Sequence, residues 1–144
     1  MDEPFDLARF IEAQDRVYET VLEELHAGRK VRHWMWFVFP QIAGLGSSGM
    51  ARRYAISSLD EAKAYLAHPL LSARLDECTH LVLATKGLPL DNLFGSIDTM
   101  KFRSSMTLFD HASEEPNVYG EALEVFFDGE RDWMTLARLK THAD

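Results

Sequence analysis

The stretch 29-RKVRHWMWFVFPQIAGLGSSGMARR-53 holds five cationic residues, a run of aromatic residues and three glycines, and it contains no acidic residue. No Asp or Glu occurs between positions 25 and 57, although the whole chain has a formal charge of −8 at pH 7. The five cations leave a charge of −13 to the other residues. A negatively charged surface repels nucleic acid and anionic membranes, so neither is an expected partner. Because the cations are concentrated in one segment, that segment predicts a local site for an anionic ligand.

The aromatic run at positions 33–41, HWMWFVFPQ, predicts that this segment enters the core, because such apolar surface is rarely left exposed. Residues 34–39 and 81–84 are the two places that resemble strands, and neither alternates cleanly with a period of two. In an extended segment Trp34 and Trp36 would point to opposite sides, so at most one of them is expected to face a ligand. That tryptophan would stack on a planar ring.

Helical periodicity dominates the rest of the chain. Apolar residues from position 7 to 25 recur every three or four residues and predict one helix, which Asp6 caps and Gly28 ends. The polar residue Gln14 falls on the apolar side of that helix. The motif 58-SLDE-61 is a capping box and starts a second helix.

The fold class follows from these helices and from the scarcity of strands, which are too few for a parallel sheet with crossover helices. Among the later helices, Pro69 and Pro116 predict helix starts, and the apolar pattern of residues 98–109 predicts a helix. Asp128-Gly129 predicts a helix end, and Asp132 is predicted to cap the last helix. We predict a mainly α chain. It forms a single domain over residues 1–144, a compact bundle of about six helices with an irregular aromatic and glycine-rich segment.

Residues 44–49, GLGSSG, match the GxGxxG pattern of dinucleotide-binding folds. That pattern requires a strand directly before it and a long helix after it, and here Pro40 and Gln41 interrupt the approach. Two interpretations stay open. The backbone amides and the hydroxyls of Ser47 and Ser48 form an anion-binding loop, followed by Arg52 and Arg53, or the glycines make a flexible connector.

The candidates for proton transfer are His33, Asp98 and Lys101. His33 is one because a histidine ordinarily titrates near neutrality. Asp98, Lys101 and Ser105 share one helix face, and Ser104 shares a face with Thr107. The alternative is structural: a hydrogen-bonded histidine, and small hydroxyls where helices pack closely.

Several chemistries find no support in the sequence. The six histidines show no HExxH or Cys/His spacing, so no metal site is predicted. Cys78 is the single cysteine, which excludes an intrachain disulfide, and its mid-helix position predicts an inert buried thiol. No apolar stretch approaches the ~20 residues that cross a bilayer, and the N-terminus does not resemble a signal peptide. We therefore predict a cytoplasmic protein without a membrane partner.

Three long motifs carry a resemblance to a known family. They are 33-HWMWFVFPQIAGLGSS-48, 54-YAISSLDEAKAYLAHPLLSARL-75 and 94-FGSIDTMKFRSSMTLF-109. Together they resemble the bacterial family called domain of unknown function 1810, sometimes labelled calpastatin-like, over nearly the whole chain. The resemblance implies a small, mainly helical, single-domain fold. It implies no established activity, cofactor or substrate, so no catalytic residue is carried over.

These observations predict a protein that binds an anionic small molecule, nucleotide-derived, in a polar pocket, with hydrolysis as a compatible activity. The alternative is a protein–protein interaction module that uses the aromatic and cationic segment. Ligand-binding candidates are Gln14, Lys30, Trp34, Trp36, Gln41, Gly44, Gly46, Ser48, Arg52, Arg53, Ser104 and Ser105. A pocket requires the side chains of Lys30 and Lys101 to converge, whereas an interface requires Trp34 and Trp36 to be exposed.

Overall fold

A computed structural model describes residues 4–142 of the chain. Nine helices lie in this range: α1 (Ala8–Asp15), α2 (Tyr18–Ala27), α3 (Met35–Val38), α4 (Gly49–Arg53), α5 (Leu59–Ala67), α6 (Pro69–Leu83), α7 (Leu90–His111), α8 (Val118–Phe127) and α9 (Trp133–His142). Within the same residues the one extended pairing is an isolated parallel bridge between Ile42 and Ile56. The mainly α class is confirmed, but the number of about six helices was wrong.

The excess of helices has local causes. The predicted first helix is two helices, because Val17 (φ −132°) leaves the helical region between α1 and α2. Leu7 rather than Asp6 precedes α1, and its side chain makes no capping hydrogen bond. Gly28 ends α2 in the left-handed conformation (φ 73°), as predicted. The short helices α3 and α4 lie in the segment that the sequence analysis treated as irregular.

The aromatic run at positions 34–39, which resembled a strand in the sequence, contains the short helix α3, and most of its side chains lie in the core. Trp34 is 1% exposed, and Phe37 and Phe39 are also buried. The Phe39 ring lies 5.0 Å from that of Phe102 on α7, in an edge-to-face contact. The predicted burial of this run is therefore confirmed for most of its residues, while Trp36 stays half-buried.

Helix α7 is bent at Gly95, whose backbone (φ 78°, ψ 164°) departs from the helix. The backbone N–H of Lys30 donates to the carbonyl of Leu93 just before the bend, at 2.8 Å. The segment after α2 is thereby fastened to the first part of α7. Asp98 and Lys101 follow on the next turns, close to this junction.

Side-chain caps fix several helix starts. Ser58 accepts from the Glu61 amide at the start of α5, and the Glu61 carboxylate accepts from the Ser57 amide. The predicted capping box is therefore present, except that the Glu61 carboxylate accepts from the amide of Ser57 and not from that of the N-cap residue Ser58. Pro69 stands in the first turn of α6, as predicted. No helix in residues 4–142 is long and apolar enough to span a membrane.

Candidate functional site

Residues 42–56, here called the glycine loop, are closed at their base by backbone hydrogen bonds. The amide of Ala43 donates to Ile56, and the amide of Ile56 donates to Gln41, both at 2.8 Å. Arg9 on α1 holds the C-terminal part of the loop, because its guanidinium donates to the carbonyls of Arg53 and Ala55. The loop is thus held in one place against the helices.

Two of the three glycines in this loop have a structural reason, a left-handed backbone at Gly44 and close packing at Gly46. Gly44 has φ 98°, and a Cβ there would lie 2.7 Å from the guanidinium carbon of Arg138. A Cβ at Gly46 would lie 2.8 Å from the Cβ of Ala51, whereas one at Gly49 would have no neighbour within 4 Å. The five-residue helix α4 lies inside this loop, and the element before the loop is the helix α3 and not a strand. The GxGxxG spacing therefore reflects a compact loop and not a dinucleotide-binding fold.

A pocket of about 560 Å³ lies between the glycine loop, α7 and the start of α9. We call it the Trp36 pocket. Seven of its lining residues were named as candidates from the sequence: Trp36, Gln41, Gly46, Ser47, Ser48, Lys101 and Ser104. The others are Leu45, Ala51, Ile97, Met100, Asp132 and Met134. Gly44 lines an adjoining crevice of about 20 Å³ that shares Trp36 and Gln41 with the pocket.

Two lysines converge on one carboxylate behind this pocket. Lys30 Nζ lies 2.8 Å from Asp98 Oδ2, and Lys101 Nζ lies 3.7 Å from Asp98 Oδ1. The Lys30 side chain is 7% exposed, against 27% for Lys101. Lys101 also lies 5.0 Å from the centre of the Trp36 ring, a cation–π contact at the pocket wall. Lys101 is thus the member of this group that a ligand would meet.

Trp34 belongs to the core and not to the pocket. Its indole Nε1 donates to Glu24 Oε1 at 2.9 Å, and Lys30 lies 5.2 Å from its ring centre. Glu24 also accepts from the backbone amides of Val31 and Arg32. Burial favours the neutral carboxyl, but these hydrogen bonds outweigh burial and lower the pKa of Glu24 to about 2. Glu24, which the sequence analysis did not single out, organises the turn after α2.

Asp132 is the carboxylate of the pocket, and it is held rigidly. Its Oδ2 accepts from Ser104 Oγ at 3.2 Å, and from the amide and hydroxyl of Thr135 at 3.0 and 2.6 Å. Its own amide donates to Thr107 Oγ1 at 2.9 Å. The sequence had predicted a capping role for Asp132, and the Thr135 bond confirms that role. Its place beside Ser104 in the pocket depends on α9 packing against α7.

Gln14 and Ser105 lie in the core. Gln14 Nε2 donates to the carbonyl of Phe37 at 2.7 Å and to the Tyr65 hydroxyl at 3.1 Å. Its Oε1 accepts from Arg74 at 3.4 Å. The Ser105 hydroxyl is fully buried and makes no hydrogen bond within residues 4–142. Gln14 therefore satisfies a backbone carbonyl of α3, and its polarity on an apolar helix face is explained by that bond.

His33, Arg52 and Arg53 stand outside the pocket lining. His33 and Arg52 are exposed. The Arg53 guanidinium lies over the Tyr54 ring at 5.5 Å and donates to the Tyr54 hydroxyl. The acid-free segment therefore divides into a buried lysine, cations on the surface and a loop that reaches the pocket. Ser48, which does line the pocket, already caps α4 by accepting from the Ala51 amide.

A second cavity, of about 610 Å³, lies at the other end of α7 beside α8. Four acidic residues line it, Asp110, Glu115, Glu121 and Glu124, together with Arg131. Arg131 is paired with Asp110 at 3.1 Å and lies within 4.0 Å of Glu115 and Glu124. This wall repels anions. Across the described range, no group of three or more His, Cys, Asp or Glu residues could hold a metal ion.

Comparison with known proteins places the chain in a family. The family profile described as "Protein of unknown function (DUF1810)" matches residues 4–139. The crystal structure of the conserved hypothetical protein Rv1873 from Mycobacterium tuberculosis is 52% identical in sequence, with a TM-score of 0.93 over 96% of this chain and 99% of that chain. No curated protein matches. The chain therefore belongs to the DUF1810 family of proteins of unknown function.

Proposed function

We propose that the protein binds an anionic small molecule with a flat ring, of the nucleotide type, in the Trp36 pocket. The observation that carries this proposal is the pairing of Lys101 with Trp36 at the pocket wall, at 5.0 Å. It puts a cation and an aromatic face in one cavity. A volume of about 560 Å³ is in the range of small-molecule sites.

The anionic group of the ligand would bind between Lys101 and the glycine loop. In residues 4–142, the backbone amides of Gly46 and Ser47 donate to no protein group, so both are available as donors. Lys30 does not contact the ligand, but its ammonium neutralises Asp98 at 2.8 Å. Lys101, which lies farther from Asp98, can therefore bind the anionic group of a ligand. The three charges of Lys30, Asp98 and Lys101 sum to +1.

The flat part of the ligand would pack among apolar side chains. Trp36 supplies an aromatic surface, and Met100 and Met134 supply flexible thioethers that adapt to the shape of a ring. Both methionines are exposed. Their burial on binding would add hydrophobic stabilisation to the contact with Trp36.

Proton transfer in this pocket would involve Asp132 rather than His33, because Asp132 lines the pocket and His33 does not. The Ser104 hydroxyl lies 3.2 Å from the Asp132 carboxylate. Hydrolysis of a phosphodiester or an N-glycosidic bond stays compatible with this pair, but binding is the function that we propose. A cytoplasmic location stays a prediction of the sequence.

The alternative is an interaction module, and its exposed apolar residues lie outside the aromatic and cationic segment that was expected to carry it. Trp34 is buried, but Ile97 and Trp133 are each 72% exposed, and Ile97 lines the Trp36 pocket. Exposed apolar residues of this size mark contact surfaces when they lie together. Such a surface would be formed by α7 and α9 and not by the aromatic and cationic segment.

A thermal-shift screen tests the proposal, with AMP, ADP-ribose, NAD and ribose 5-phosphate as probes. A ligand at a hundred times its dissociation constant should stabilise the folded state by about 2.7 kcal/mol. At this chain length that is on the order of ten degrees in Tm. We expect the shift to be lost in Lys101→Ala and retained in Lys86→Ala, an exposed lysine outside the pocket. A flat screen, or a shift that Lys101→Ala retains, would overturn the proposal.

A further inference from the structure

The Trp36 pocket contains a carboxylate, which is unfavourable in a site for a simple anion. The Asp132 carboxylate lines the pocket and cannot turn away, because three donors from Ser104 and Thr135 hold its Oδ2. Its other oxygen, Oδ1, accepts no hydrogen bond from the described residues. A fixed carboxylate repels an anion unless the ligand brings hydrogen-bond donors to it. The pocket therefore suits a ligand that carries donors at some distance from its anionic group.

The charges around the pocket limit how anionic that ligand is. Lys30 and Lys101 balance Asp98 and Asp132, so these four side chains have a net charge of zero. A triphosphate would meet one available ammonium, that of Lys101, and one carboxylate. A single phosphoryl group matches this balance better.

We propose that Asp132 Oδ1 accepts hydrogen bonds from the vicinal hydroxyls of a ribose, so that the ligand is a ribonucleoside monophosphate. This inference rests on the proposed function and specifies its ligand. A carboxylate oxygen accepts two hydrogen bonds, and the 2′ and 3′ hydroxyls are two adjacent donors. The base would pack on Trp36 and the phosphate would bind Lys101. The Gln41 side chain, which makes no hydrogen bond within the described range, is a further partner for the sugar or base.

Isothermal titration calorimetry with AMP and 2′,3′-dideoxy-AMP tests this role on the wild-type protein. Two hydrogen bonds to a carboxylate contribute enough that their loss should weaken binding about tenfold or more. Both probes keep the ring and the phosphate. We therefore expect dideoxy-AMP to bind, but about tenfold more weakly than AMP. Equal affinities would overturn the role of Asp132 and leave the proposed function standing.

The variant Asp132→Ser separates recognition from structure. Serine is a good N-cap, so α9 keeps its start, and thermal unfolding checks that the variant folds. We expect AMP to bind about tenfold more weakly, while dideoxy-AMP binds equally or more tightly because the carboxylate no longer repels its phosphate. A residue with only a structural role would weaken both probes alike, and that result would overturn the inference.

Three further outcomes are decisive. ATP binding tenfold more tightly than AMP would contradict the charge balance and overturn the monophosphate class. Binding of NAD or ADP-ribose without binding of AMP would overturn the inference alone. Failure of every probe, NAD and ADP-ribose included, would overturn the proposed function itself, and the inference with it. The dideoxy comparison on wild type needs no variant, so the role of Asp132 is tested even if Asp132→Ser does not fold.

Discussion

Replacing Glu24 by glutamine should destabilise the fold in a way that depends on pH. The Glu24 carboxylate is 6% exposed and accepts from the Val31 and Arg32 amides, the Trp34 indole and the Arg32 guanidinium, at 2.8 to 3.1 Å. These contacts lower its pKa from 4.5 to about 2. At 1.36 kcal/mol for each pKa unit, the ionised form contributes about 3 kcal/mol to folding.

The sign of the effect follows from the direction of the shift. Because the folded-state pKa lies below the unfolded value, this contribution is fully present above pH 4.5 and is lost as the pH falls toward 2. Glutamine keeps one oxygen for the three N–H donors but loses the charge. We therefore expect Glu24→Gln to reduce the free energy of unfolding by about 2 kcal/mol at pH 7, and by much less near pH 2.

Urea unfolding of wild type and Glu24→Gln at a series of pH values between 2 and 7 measures this difference. Glu23→Gln is the matched control, because Glu23 is the exposed neighbour on the same helix. It should differ little from wild type throughout the series. A difference for Glu24→Gln below about 0.5 kcal/mol at pH 7, or one that stays constant down to pH 2, would show that the ionised carboxylate does not stabilise the fold.

Two other predictions concern the loop and the core. Gly46→Ala should destabilise the protein by about 1 to 3 kcal/mol, because its Cβ would lie 2.8 Å from that of Ala51, whereas Gly49→Ala meets no neighbour within 4 Å and should be close to neutral in thermal unfolding. Equal losses in the two variants would contradict the packing argument. Burial raises the pKa of the Cys78 thiol to about 12, so the native protein should react slowly with a disulfide reagent at pH 8, and fully once unfolded in guanidinium. Rapid reaction of the native protein would show that the thiol is accessible.

The acidic cavity beside α8 was not anticipated from the sequence, although at about 610 Å³ it is similar in volume to the Trp36 pocket. Its acidic residues come from the end of α7 and from residues 115–124, its arginine follows α8, and each of these charged residues is ordinary in its local context. Asp110 is brought to Arg131 and Asn117 by the packing of α7 against α8. A Cβ at Gly120 would lie 2.8 Å from Asp110 Oδ1, so a larger residue there would displace the Asp110 carboxylate.

Features that depend on near neighbours in the chain could be predicted from the amino-acid sequence. The helix class follows from apolar spacing, the end of α2 from Gly28, and the starts of α5 and α9 from Ser58 and Asp132. Each depends on conformational preferences or hydrogen bonds within one or two helical turns. Periodicity does not resolve short apolar runs, and α3 was therefore mistaken for a possible strand.

The residues that form the candidate site could not be chosen until the packing of the helices was known. The choice between Trp34 and Trp36 depends on Glu24, which holds Trp34 in the core, and on Lys101, which lies over Trp36. Asp132 reaches the pocket because α9 packs on α7, and no local signal connects it with the glycine loop. The physical reason is that local preferences act along the chain, whereas a pocket is formed by side chains that meet after distant helices have packed.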